Sequence, residues 1–188
     1  MTIGPDDTTR LLAAVHEGVR GAQEQLLDVV YDQLRVIAAA HFRRERAGHT
    51  LQPTALVHET YLRLMGGNVM SWTNRAHFLS VAAKAMRNTL VNHALAKKAA
   101  KRGGGAATVD MNLDSAASQA RPVDTLGLDQ ALKDLAVLDA RKAQVVELRF
   151  FGGMTVDETA HVLKISVSTV EADWRMAKAW LSAELGSD

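Results

Sequence analysis

From Thr60 to Val109 the chain reads TYLRLMGGNVMSWTNRAHFLSVAAKAMRNTLVNHALAKKAAKRGGGAATV, fifty residues without one Asp or Glu. The same stretch holds Arg63, Arg75, Lys84, Arg87, Lys97, Lys98, Lys101 and Arg102, with His77 and His93 beside them. On a helix over 76–102, Leu79, Ala83, Met86, Leu90 and Ala94 share one face. Lys84, Arg87, Asn88, Lys98 and Lys101 fall on a neighbouring face, with His77 at its start. One long helix is thus expected to pack inward and to present cations and amides outward. That combination suits phosphate contacts with some capacity to read base edges.

The flanking sequence is the electrostatic complement. Residues 1–59 carry a net −2, the acid-free block +8 and residues 110–188 −5, which together give the overall +1. A nearly neutral total therefore hides a segregated charge map, as a polyanion partner requires. The plainer reading is a solvated basic helix face, which is what most charge runs are.

Working outward, residues 5–20 predict a helix. Pro5-Asp6-Asp7-Thr8-Thr9 precede Leu11, Leu12, Val15 and Val19 at helical spacing. Leu26, Leu27, Val30, Leu34, Ile37 and Ala38 predict a second helix over 22–44. Its tail, His41 to Arg46, is basic and ends at Gly48. Pro53 bars a helix through residue 52 and suits a helix start, so a third helix is expected over 55–65, stopped by Gly66-Gly67-Asn68. Trp72 lies in the loop that follows, either capping the core or exposed to stack on an unpaired base.

Gly103-Gly104-Gly105 open a linker of Ala, Ser, Thr, Asp and Gln that runs to residue 125. Beyond it, Leu128, Leu132, Leu135 and Leu138 mark one helix. Val145, Val146, Leu148 and Phe150 mark another, closed by Gly152-Gly153. Then comes Val156 to Leu163, a turn at Lys164-Ile165, and Ser166 to Arg175. Ala160 is small where two helices must cross, Ile165 is a candidate buried turn residue, and Ser166 is placed to cap the helix carrying Val170 and Trp174. This spacing predicts a helix-turn-helix. The simpler alternative is two packed helices of an unrelated bundle.

Composition narrows the class. No cysteine occurs, which removes disulfides and thiolate metal sites and suits a reducing compartment. The N-terminus lacks a signal-peptide pattern, and no apolar run reaches membrane-spanning length. Seven histidines are scattered without ligand spacing, and no paired-carboxylate or phosphate-cradling pattern appears, so neither an enzyme nor a cofactor is expected. The expectation is an all-α, cytoplasmic protein without membrane insertion. It has two small helical domains, 1–102 and 126–188, joined by a flexible linker, 103–125.

Leu56-Val57-His58-Glu59-Thr60-Tyr61-Leu62-Arg63-Leu64, Met86-Arg87-Asn88-Thr89-Leu90-Val91-Asn92-His93-Ala94, the glycine-rich linker and Val145-Val146-Glu147-Leu148-Arg149-Phe150-Phe151-Gly152-Gly153 occur in that order. The sequence resembles the extracytoplasmic-function (ECF) sigma factors of bacterial RNA polymerase, and Gln52 to Glu59 is similar to one subgroup of them. The resemblance covers nearly the whole chain.

It implies that Leu56, His58, Glu59, Leu62 and Arg63 bind the β′ clamp helices of core RNA polymerase, whose β flap is a second contact. Trp72, Asn74, Arg75, His77, Lys84, Arg87, Asn88 and Asn92 would engage the −10 promoter element, the Trp72–His77 loop capturing a flipped base. Ser168, Thr169, Glu171, Ala172, Arg175 and Lys178 would engage the −35 element. An anti-sigma factor or another regulator is a further implied partner. A coil of 23 residues averages about 26 Å end to end and reaches about 80 Å extended. Promoter elements one and a half duplex turns apart lie about 50 Å apart, so the polymerase must help to hold both domains in register.

Three features depart from the family pattern. Glu171 and Asp173 stand on the recognition helix where many relatives are basic. Lys164 occupies a turn position usually held by Gly, at a cost of about 1 kcal/mol if its φ is positive. Asn88, Asn92 and Leu95 replace charged residues on the basic helix. The competing reading is a conventional helix-turn-helix regulator with an N-terminal helical sensor.

Overall fold

The periodic segments become helices in a computed structural model that describes residues 5–42, 52–65, 72–100, 108–111 and 121–186. The order is α1 (Pro5–His16), α2 (Ala22–Phe42), α3 (Pro53–Met65) and α4 (Arg75–Ala100). After two short strands come α5 (Thr125–Leu138), α6 (Ala140–Val146), α7 (Val156–Leu163) and α8 (Val167–Leu185). The fold is all-α, as expected. Arg43 to Arg46, Gly48, Gly66-Gly67-Asn68, Lys101, Arg102 and Gly103 to Gly105 lie outside the described residues.

Helix ends follow local chemistry. Pro53 is the first residue of α3, where its missing N–H removes no helical hydrogen bond. Asn74 caps α4, its Oδ1 accepting the His77 N–H at 2.8 Å. α1 stops earlier than the apolar spacing suggested, because Gly18 and Gly21 have φ of 72° and 81° in the turn to α2. This leaves Val19 exposed.

The first four helices bury Leu12, Leu26, Val30, Leu34, Leu56, Val57 and Phe78. The apolar stripe of α4 lands as expected: Leu79, Ala83, Met86, Leu90 and Ala94 are all buried. Trp72 is only 3% exposed and packs on Phe78 with ring centroids 5.0 Å apart. Of the two readings left open for Trp72, the structure shows the core cap and not the exposed ring. Phe78 at the start of α4 gives the indole an apolar neighbour, and the ring belongs to the core.

Two parts of the expected linker pair as an antiparallel ribbon, β1 (Thr108–Met111) with β2 (Arg121–Asp124), in the register Thr108 to Asp124 and Met111 to Arg121. Asp124 ends the ribbon and caps α5, accepting from the Leu126 and Gly127 N–H groups.

In the C-terminal part Leu128, Leu132, Leu135, Val145, Val146, Leu148, Val170 and Leu181 are buried. Leu138 is not: it is 68% exposed at the end of α5, where the chain turns at Asp139. The helix expected to continue through Phe150 does so with a change of winding, because Glu147–Phe151 form a π-helical segment. Gly152 ends it. A Cβ there would sit 2.5 Å from the Leu148 carbonyl oxygen and 3.1 Å from Ala83 Cβ on α4, so the missing side chain allows the close approach.

The apolar cluster is continuous. It includes Leu79, Ala83 and Met86 of α4 together with Leu128, Leu148, Phe151 and Leu181 of the later helices. The C-terminal helices thus pack on α4.

α7 begins with a reciprocal capping box between Thr155 and Glu158. It ends at Lys164, which has φ 54° and ψ 44°. The Lys164 N–H donates to His161 O at 3.4 Å and the Ile165 N–H to Ala160 O at 3.1 Å, the two bonds of a Schellman ending. Ile165 is half-buried rather than buried, although it packs on the small cluster of Val145, Ala160 and Val170. Ser166 caps α8 by accepting the Thr169 N–H at 3.1 Å. Because Lys164 is the one non-glycine with positive φ among the described residues, Lys164→Gly is expected to raise unfolding stability by about 0.5–1 kcal/mol. Urea denaturation followed by circular dichroism measures it.

Candidate nucleic-acid and polymerase interface

α4 turns its outer face away from the core as periodicity demands. Lys84, Asn88 and Asn92 stand four residues apart along it and all are exposed, as is Lys98 further on. His77 is exposed at the first turn, its Nδ1 3.4 Å from the Thr73 N–H and hydroxyl. Asn74 is half-buried and engaged as the cap of α4.

Two cations of the expected −10 set point elsewhere. The Arg87 Nε donates to Asp129 Oδ1 at 2.9 Å, Nη1 to Glu147 Oε2 at 2.9 Å and Nη2 to the Asp129 carbonyl at 3.2 Å. All three side chains in this cluster are less than one-fifth exposed. Lys133 adds a contact to Asp129 at 2.7 Å. Burial pushes the Asp129 carboxyl up, but the hydrogen bonds from Lys133 and Arg87 outweigh it and hold the group below its ordinary value. The carboxylate's contribution is therefore fully present at neutral pH and is lost as pH falls through the lowered value. Arg75 forms an ion pair with Glu158 of the α7 capping box. Burial lowers the Arg75 pKa, and its Nε is buried without a hydrogen-bond partner. Its backbone N–H donates to Thr9 Oγ1 at 3.2 Å.

Arg87 and Arg75 are thus not presented outward, contrary to expectation. Sequence reasoning missed Asp129, Glu147 and Glu158 as members of this site. A signal for them existed: the acidic block is the obvious complement of the basic one.

The α3 residues expected to meet polymerase differ in exposure. His58 and Arg63 are exposed and Leu62 is 55% exposed. Leu56 is fully buried and supports the helix from inside, so it cannot touch a partner. Glu59 is half-buried and lies 2.8 Å from His93 Nε2, which ties α3 to α4.

Of the expected −35 set, Ser168, Glu171 and Arg175 are exposed on α8, while Thr169, Ala172 and Lys178 are half-buried. Ser166 Oγ lies 2.9 Å from Ser168 Oγ and 2.7 Å from Thr169 Oγ1, so both hydroxyls join the cap. Lys178 lies over the Trp174 ring at 5.9 Å, and Arg149 covers that ring at 4.7 Å. Asp173 is not on the outer face at all. It is buried and bonds Arg141 at 2.6 and 3.2 Å, locking α8 to α6. Asp173→Ala is expected to cost about 2 kcal/mol, because it removes charge-assisted hydrogen bonds at a buried position. Chemical denaturation of the two proteins side by side checks this.

Among the described residues no cluster of His, Asp and Glu has metal-site geometry, and no helix is long and apolar enough to cross a membrane.

The described residues thus form a mainly helical chain with an exposed stripe of Lys84, Asn88 and Asn92 on α4, followed by α7 and α8 joined through a tight capped turn. The chain matches the ECF sigma factor family over residues 5–187 and belongs to it. No curated protein matches it. Membership gives the chain a sigma-factor role in transcription initiation, in a non-enzymatic family that works with core RNA polymerase and promoter DNA, often under anti-sigma factors. It also decides against a conventional regulator with an N-terminal sensor.

Proposed function

We propose that the chain binds core RNA polymerase in the cytoplasm, recognises −10 and −35 promoter elements and assists promoter opening. The observation that carries this reading is the α4 stripe of Lys84, Asn88 and Asn92, exposed on a helix from an acid-free block of sequence. A cation flanked by amides can hold a separated strand by its phosphates and its base edges, and binding to unpaired bases offsets the few kcal/mol needed to unstack each one.

In this reading residues 1–102 form the −10 and polymerase-binding module, 103–125 the linker and 126–188 the −35 module. His58, Glu59, Leu62 and Arg63 meet the β′ clamp helices, and the C-terminal module meets the β flap. Capture of a flipped base by Trp72 would require the indole to leave Phe78, so strand holding rests on Lys84, Asn88 and Asn92. On α8, Glu171 can accept from a cytosine amine and Arg175 can reach a phosphate or guanine, with α7-turn-α8 acting as the helix-turn-helix. An anti-sigma factor is the regulatory partner that this reading admits.

The test is retention of core polymerase by the tagged protein, together with transcription by the reconstituted enzyme over a promoter library. Recovery of β′ and of transcripts sharing two spaced elements is expected. Absence of β′ overturns the reading.

A further inference from the structure

The exposed face of α4 carries one side chain that phosphate contacts do not explain. Leu95 is 50% exposed, and among the described residues of α4 it is the one large apolar side chain that faces solvent. Single exposed leucines are ordinary on protein surfaces. The placement of this one is unusual. It stands eleven residues after Lys84, close to three full turns, so the two side chains lie on one line along the helix. Asn92 lies one turn before it and Lys98 one turn after it, both exposed. An apolar group therefore sits in the middle of the stripe of cations and amides.

The packed sides of α4 are elsewhere. Leu79, Met86 and Leu90 face the core. His93, two residues before Leu95, points to another side and meets Glu59 of α3. Ala83 and Arg87 mark the side that receives the C-terminal helices. Leu95 thus shares the uncovered face with Lys84, Asn88 and Asn92 and lies away from α3.

A leucine side chain neither donates nor accepts a hydrogen bond, so it recognises neither a phosphate nor the polar edge of a base. The apolar feature that base edges offer is the 5-methyl group of thymine. We infer that Leu95 is a specificity-determining residue, which packs against the 5-methyl group of one thymine in the −10 element and makes the protein prefer thymine there. This contact, which presumes the reading of α4 as the strand-holding helix, adds sequence selection to it. Lys84 and Lys98 hold phosphates, Asn88 and Asn92 meet polar base edges, and Leu95 reads the methyl.

Deoxyuridine differs from thymidine only by this methyl and pairs in the same way, so it isolates the contact. Polymerase reconstituted with the full chain is given an active promoter from the library. Each thymine of its −10 element, on either strand, is replaced singly by deoxyuridine. Open-complex formation is titrated against polymerase for the parent, Leu95→Ala and Lys84→Ala. Alanine at an exposed helical position leaves the fold intact. One replacement is expected to weaken the parent about fourfold, the effect of roughly one buried methyl group. Leu95→Ala should be insensitive to that replacement. Lys84→Ala should be weaker on both templates and keep the fourfold ratio between them. A selected −10 element without thymine overturns the inference, as does a parent indifferent to every replacement. A methyl effect that survives in Leu95→Ala, or that Lys84→Ala also erases, overturns it too. So does a loss in Leu95→Ala that is equal on thymine and deoxyuridine templates, which would mean packing on a sugar or a base face. Failure of the parent to open any promoter of the library overturns the promoter reading itself, and the methyl contact with it.

Discussion

Replacing Lys84 and Asn88 together by Glu is expected to reduce open-complex formation by on the order of a hundredfold while leaving core polymerase binding unchanged. Both side chains are exposed on α4 and neither supports the core, which is built from Leu79, Ala83, Met86 and Leu90 on the opposite side. The substitutions therefore change the surface without changing the packing. They turn one attractive charge into two repulsive ones, four residues apart, where a strand's phosphates would lie, and Asn88 loses its capacity to donate to a base edge. Permanganate footprinting of the −10 region on a fixed promoter measures opening, and co-purification with core enzyme measures assembly. Equal loss of both would show that α4 contributes to polymerase binding rather than to strand capture. The effect should shrink on a promoter with a pre-melted −10 bubble only to the extent that Lys84 acts in melting. If it acts in holding the strand, the defect persists.

Local patterns were legible in the sequence where one element decides its own fate. The inward stripe of α4, the Pro53 start of α3, the Ser166 cap of α8 and the left-handed conformation of Lys164 each follow from residues within a turn or two. What the sequence concealed is non-local. Arg87 looks like an outward cation because its partners, Asp129 and Glu147, lie 42 and 60 residues further on. Asp173 resembles a misplaced DNA-facing acid until α6 brings Arg141 beside it. Trp72 sits in a polar loop and looks exposed, yet its indole rests on Phe78. The shift to π winding at Glu147–Phe151 leaves no periodic trace either, because Leu148 and Phe151 remain apolar under both geometries. Charge segregation was the strongest global signal. It pointed to a polyanion and did not reveal that the chain carries an acidic partner of its own.

Leu62→Asp is expected to weaken binding to core polymerase by about thirtyfold or more, the loss typical of a central apolar anchor in a protein interface. Leu62 is 55% exposed on α3 between exposed His58 and Arg63, with Glu59 fixed beside it by His93. An apolar side chain with a charged rim is the arrangement in which a few residues dominate affinity, because the rim excludes water from the anchor. The neighbouring leucines cannot substitute for it: Leu56 and Leu64 are buried beneath the helix. Aspartate at an exposed helical position costs the fold little, so the loss falls on assembly. Val137→Asp is the matched control, since Val137 is 87% exposed on α5 and lies outside the α3 face. Competition for fluorescent core enzyme compares the two variants. A similar loss in both would mean that general acidification, rather than the α3 surface, governs binding. A loss confined to Leu62→Asp, with single-strand affinity of the free protein unchanged, would place the polymerase contact on α3 and separate it from the strand-holding face of α4.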